Sequence, residues 1–143
     1  MSNFQKFSLL LLRLSLGGLF LYAGLVKVFD SSWSAAGYLK GAKTFAPLYQ
    51  FFLKPDILPV VNFMNEWGLT IVGLALIFGF WTRWASLFGA LLMLLYYFPV
   101  LVFPYVPPNS FIVDEHIVYI CAFLVLASSR AGEVFGIDGL RRV

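Results

Sequence analysis

The stretch SLLLLRLSLGGLFLYAGLVKVF, residues 8–29, decides the fold. Its only charged residues are Arg13 and Lys27. A hydrocarbon core of ~30 Å needs ~20 helical residues to cross it. Three further apolar segments follow, at about 61–81, 84–103 and 111–129. Four such segments in 143 residues leave little room for a soluble domain. The sequence therefore predicts an all-α, polytopic membrane protein. It forms a single domain over residues 1–143, built as an antiparallel bundle of four transmembrane helices.

Composition agrees with that class. Hydrophobic residues make up 61% of the chain and charged residues 12%, against ~45–50% and ~25% in soluble domains. The net charge of +3 is too small and too dispersed for nucleic-acid binding. Residues 1–12 resemble a signal peptide, but Arg13 interrupts the run, which then continues to Phe29. Removable apolar cores are shorter, ~7–15 residues, so the first segment reads as a retained helix. One cysteine, Cys121, excludes an internal disulfide or a CxxC pair and reads as a packing residue.

Between the first two spans, residues 33–54 interleave Trp33, Tyr38, Tyr49, Phe51 and Phe52 with Lys40, Lys43 and Lys54. Aromatic rings suit the headgroup depth of a bilayer, and lysines snorkel there. This segment is expected to lie on the membrane surface, or dip partly in, and to cover an opening between the first, second and fourth spans. The turn 81–84 is short enough for a tight hairpin, and Pro99 must kink or end the third span.

The positive-inside rule sets orientation. Lys6, Arg13, Arg83, Arg130, Arg141 and Arg142 fall at one end, and Arg83 and Arg130 mark that boundary. Lys40, Lys43 and Lys54 at the other end weaken the bias. Both termini are expected in the cytoplasm, with residues 43 and 109 outside.

Ionisable groups inside spans are costly and face the bundle interior or a wet cavity. Lys27, Glu66 and His116 sit near the same ends of their helices and are the candidate catalytic groups. Lys27 and Glu66 are expected to approach as a buried pair. Snorkelling of Lys27 is the plain alternative, and Asp114 and Glu115 also read as an N-terminal charge pair on the fourth span. A metal set of Asp114, Glu115, His116 and Glu66 is a weaker alternative. There is no haem, flavin or metal motif. Arg13, Gly17, Phe20, Gly24 and Lys27 fall on one stripe of the first helix. Glu66, Thr70, Gly73 and Ile77 form a second stripe. His116, Tyr119, Phe123, Ala127 and Arg130 form a third, and the three are expected to face one another. Tyr96, Tyr97, Tyr119 and Phe123 can line a slot for a flat ring such as a quinone headgroup, or simply pack.

At these residues the chain resembles the DoxX/DoxD-like family of small four-helix membrane proteins. The resemblance rests on Arg13-Leu14, Leu16-Gly17, Phe20-Leu21, Gly24 and Lys27, then Trp33 and Gly37-Tyr38-Leu39. It continues through Glu66, Gly68, Gly73, Gly79-Phe80-Trp81-Thr82-Arg83 and the late Gly136-Ile137-Asp138. It implies a bacterial or archaeal inner-membrane protein, and some members resemble subunits of quinone-linked oxidoreductases such as thiosulfate:quinone oxidoreductase. The expected partners are the lipid bilayer, other membrane or peripheral subunits, and further copies of the chain. The alternatives are a non-enzymatic scaffold and a small carrier of lipid or solute.

Overall fold

The computed structural model describes residues 1–141. Arg142, used in the charge argument, and Val143 lie outside them. Helices dominate: α1 (Asn3–Phe29), α2 (Ala36–Lys40), α3 (Ala46–Phe52), α4 (Leu58–Phe78), α5 (Thr82–Val100), α6 (Glu115–Ser128) and α7 (Ile137–Leu140). A two-stranded hairpin, β1 (Tyr105–Val106) with β2 (Ser110–Phe111), joins α5 to α6. Three helices, α1, α4 and α5, are long and apolar enough to cross a membrane. The protein is thus a multi-pass, all-α membrane protein in contact with lipid.

The fourth segment differs from expectation. It starts at Glu115 rather than near residue 111, and its 14 residues make ~21 Å of helix, short of the ~30 Å core. Ile112 adopts a left-handed φ of 55°, which no helix interior accepts. Asp114 then caps the helix, its Oδ1 accepting from His116 N at 3.0 Å and Ile117 N at 3.3 Å. The first helix, conversely, starts five residues before the expected position. Ser2 and Gln5 form a reciprocal capping box there.

The helices pair as α1 with α4 and α5 with α6. Between α1 and α4 the backbones almost touch. A Cβ added to Gly24 would lie 2.5 Å from Thr70 N, and one added to Gly73 would lie 2.4 Å from Leu21 N. The two glycine-bearing stripes therefore face each other, as their spacing predicts. Phe20 carries the same face of α1 to α6. Its ring meets Phe123 edge-on at 4.9 Å and Tyr119 at 6.2 Å. Phe123 is fully buried, and Gly89 of α5 leaves the space its ring occupies.

One end of the bundle is tied by its arginine. Arg13 is 1% exposed. Its Nη1 donates to Ala131 O at 2.6 Å and Val134 O at 2.9 Å, and its Nη2 to Phe135 O at 3.1 Å. Asp138 of α7 accepts from Trp81 N at 2.8 Å and Thr82 N at 2.9 Å, so a carboxylate from the C-terminal segment caps α5. Gly79, with φ of 65°, ends α4 and lets Arg13 pass. A Cβ there would lie 2.7 Å from Nη1.

Candidate functional site

At the opposite end, a cavity of about 420 Å³ opens between α1, α4 and α5 beneath residues 33–53. That volume falls in the ~300–1,000 Å³ range of small-molecule sites. Its walls are mostly apolar: Leu39 and Phe52 above, Val61 and Met64 from α4, Leu91 and Leu95 from α5. Lys27, Asn65 and Tyr96 bring polar groups to it. The cover therefore lies where an interfacial segment is expected, but over α1, α4 and α5. The expected opening beside the fourth span, now α6, is not the one it covers.

The cover is held by the broken end of α5. Pro99 has no N–H, so it cannot bond the carbonyl of Leu95 one turn back. Tyr49 of α3, 2% exposed, donates its hydroxyl to that carbonyl at 2.8 Å. Lys43 N donates to Pro99 O at 3.2 Å, and Thr44 Oγ1 to Leu101 O at 2.7 Å. Tyr38 of α2 donates its hydroxyl to Tyr96 O. On the other side Ala35 N donates to Asn62 Oδ1 of α4 at 2.9 Å. The last carbonyls of a helix lack intrahelical N–H partners; Leu101 N serves Tyr97 and Phe98, and the cover serves Leu95, freed by Pro99, and Pro99 itself. Burial pushes the Tyr49 phenol up to about 12. Burial first, then nearby tyrosines and the carboxylates of Asp114 and Glu115, raises that of Tyr38. Both hydroxyls therefore stay protonated donors around neutral pH.

Tyr49→Phe is expected to leave Leu95 O unpaired and weaken the cover by about 1–3 kcal/mol. Amide exchange over residues 36–53 should speed up accordingly. Adding Pro99→Ala, which returns an N–H to the Leu95 carbonyl, should recover part of that loss. Unchanged exchange in Tyr49→Phe would show that this hydroxyl does not hold the cover.

The predicted site residues are only partly brought together. Lys27 reaches the cavity, where Nζ donates to Ala23 O at 3.1 Å and sits 5.4 Å from the Trp33 ring centre. Glu66 does not join it, and the two form no ion pair. Glu66 lies half-buried on the α4 stripe, outside the cavity lining, and its carbonyl accepts from Thr70 Oγ1 at 2.7 Å. The expected direct ion pair between Lys27 and Glu66 does not form: the ammonium turns to its own helix and an aromatic face.

His116 stands just behind the cavity wall. Its ring stacks on Tyr96, with centres 6.3 Å apart and planes at 16°. Its Nδ1 lies 2.6 Å from Asp114 Oδ2. The Tyr96 hydroxyl in turn donates to Asn65 Oδ1. Glu115 is exposed beside this pair. Tyr97, Tyr119 and Phe123 do not line the cavity. Tyr97 packs with Leu101 and Val106 and donates to Ile112 O, while the other two pack on Phe20. Arg83 is exposed at the arginine end. Among the described residues no group of three or more His, Cys, Asp or Glu is placed to hold a metal ion.

Four cavity residues escape a reading of stripes. Asn65 is one step off the α4 stripe, although an amide inside an apolar span is itself a signal. Trp33, Tyr38 and Tyr49 read as interfacial aromatics, and only the fold turns them over the cavity.

The DoxX family model matches residues 8–101, which include α1 to α5 almost entirely and every residue lining the cavity. No curated protein and no solved structure matches the chain.

Proposed function

We propose, since the chain belongs to the DoxX family, that it is a membrane subunit of a quinone-linked oxidoreductase whose headgroup site is the cavity under residues 33–53. The family is a membrane family often linked to oxidoreductase-related functions. The single observation that carries the reading to this site is Lys27. It is an ammonium with two protons uncommitted, in an apolar cavity at membrane depth, beside an amide and a phenol. A lipid-soluble ring bearing carbonyl oxygens meets both requirements, with an apolar body for the walls and acceptors for Lys27. The residues fit a quinone on volume and on donor chemistry alike.

A bound quinone supplies two-electron, two-proton redox chemistry, with electrons coming from a substrate or a partner subunit. Lys27 donates to a carbonyl oxygen, and Asn65 Nδ2, which donates to Val61 O at 2.7 Å, keeps its other proton for the ligand. The cover excludes water from these contacts. Asp114 Oδ2 lies 2.6 Å from His116 Nδ1, so the carboxylate orients the ring and leaves Nε2 free of it. A histidine so oriented, behind Tyr96 and close to the surface, suits proton exchange with the medium. Glu66, outside the cavity, is given no proton-relay role.

A second reading, a small carrier or binder of an amphiphile, draws on the same uncommitted ammonium and needs no proton exchange at His116. Quinone analysis of the purified protein separates the two. Lys27→Met is expected to abolish co-extraction of quinone and lower quinone-dependent turnover of the intact complex by at least ~10²-fold. His116→Gln, which keeps a hydrogen-bonding group but cannot titrate, should keep the bound quinone and lose ~10²-fold in turnover. Glu66→Gln should leave both near the parent values. A purified protein free of quinone, with turnover insensitive to Lys27→Met, would defeat the proposal.

A further inference from the structure

The hairpin between α5 and α6 lies beyond the residues matched by the family model, and it has an unusual surface. No charged side chain occurs from Trp84 to Val113, so the charge-free run of α5 continues through the whole hairpin. Val106 is buried against Tyr97 and Leu101. Its neighbours face outward: Phe103 is 76% exposed, Tyr105 63% and Phe111 62%, with Val102 and Val113 near half. Tyr105 and Phe111 pair across the strands, edge to face at 5.8 Å.

The depth of this surface follows from the helices it joins. The far ends of α5 and α6 are level, because Ala131–Glu133, directly after α6, packs on Thr82 at the start of α5. A Cβ on Gly132 would lie 2.4 Å from Thr82 Oγ1. With 19 residues in α5 and 14 in α6, α6 begins about 7 Å below the end of α5. The stacking of His116 on Tyr96, four residues before the end of α5, likewise puts the start of α6 below that end. Residues 101–113 therefore descend alongside the last turn of a membrane-spanning helix.

The backbone suits that place too. Irregular chain at membrane depth must have its polar groups satisfied. Pro104, Pro107 and Pro108 carry no N–H. Val102 and Tyr105 exchange two bonds at 2.8 and 2.7 Å, and Ile112 N donates to Pro104 O at 2.9 Å. Charge-free aromatic surface, few free donors and this depth point to one occupant.

We propose that the hairpin, residues 102–113, is immersed in lipid at the headgroup–acyl boundary, and that it completes the crossing that α6 leaves short. Tyr105 and Phe111 are its inserted residues, and Asn109 at the turn reaches water.

The test is collision accessibility of spin labels in the full chain, with Cys121→Ala as background, in phosphatidylethanolamine–phosphatidylglycerol vesicles. Labels enter through Tyr105→Cys, Phe111→Cys and Asn109→Cys. At 105 and 111, collisions with oxygen should exceed those with an aqueous nickel chelate several-fold, and at 109 the order should reverse. Preferential nickel access at 105 and 111 would make the hairpin a water-exposed loop. Protection from both reagents would assign the surface to a protein partner. Either result overturns the proposal. If the labels disturb the fold, Phe111→Trp serves instead. Its added fluorescence over the parent should be quenched by lipids brominated near the headgroup, and an absence of quenching overturns the proposal equally.

Discussion

Arg13→Ala is expected to lower stability by about 3–5 kcal/mol and to free the segment after α6 for proteolysis. That cost is typical of deleting one partner of a buried charged network. The guanidinium makes three hydrogen bonds to carbonyls of Ala131, Val134 and Phe135. Removing it leaves those carbonyls facing a void in a water-poor environment. Phe135 and Arg130 sit at left-handed φ values of 50° and 51°, conformations that persist only when surroundings hold them. Arg13→Lys should recover little, because one compact ammonium cannot span three carbonyls as the planar fork does. Asp138→Ala should cost less, about 1 kcal/mol, as the loss of a helix cap usually does. Thermal unfolding in detergent, combined with limited proteolysis of residues 130–141, measures both effects. An Arg13→Ala protein as stable as Asp138→Ala would show that the arginine does not hold this end together.

How much of this was legible in the sequence varies with the range of the forces involved. Apolar length sufficed to find α1, α4 and α5, but not the bounds of α4, which runs from Leu58, with Pro59 in its first turn, to Phe78 before Gly79, three residues earlier at each end than the expected 61–81. The Ser2–Gln5 box was equally local, but apolar length draws the eye to residue 8. Residues 111–113 are apolar and read as helix, yet the true start was encoded by Asp114, a capping residue rather than merely a charge. The α1–α4 glycine stripes were legible because a 3.6-residue period fixes a face. Which polar group meets which across that face was not. Lys27 and Glu66 share a depth, but whether the side chains meet depends on the helix rotation set by Gly24 against Thr70. The role of Pro99 was half legible. Its missing N–H was evident, and that the orphaned carbonyl would receive Tyr49 from another element was a matter of tertiary structure. The same holds for Arg13, whose carbonyl partners lie 118 to 122 residues away.

Gly73→Ala tests the closest of these contacts. The added Cβ would lie 2.4 Å from Leu21 N and 2.6 Å from Leu21 Cα. Both are backbone atoms, so no rotamer change relieves the clash, and α1 must move off α4 as a body. These two helices make the most extensive contact in the bundle. The expected cost is about 3 kcal/mol, the upper end for overpacking a well-packed interface. Gly18→Ala is the matched control, since nothing lies within 4 Å of its added Cβ. In a helix interior, alanine is favoured over glycine by roughly 1 kcal/mol, so that variant should be neutral or stabilised. Unfolding midpoints of the two variants should therefore move in opposite directions. The consequence reaches the cavity, because α1 carries Lys27 and α4 carries Asn65. Parting the helices moves the ammonium away from the amide, so Gly73→Ala should also lose co-extracted ligand while Gly18→Ala keeps it. Equal stability of the two variants would mean that α1 and α4 are not in backbone contact at Gly73, and the cavity geometry built on that contact would fall with it.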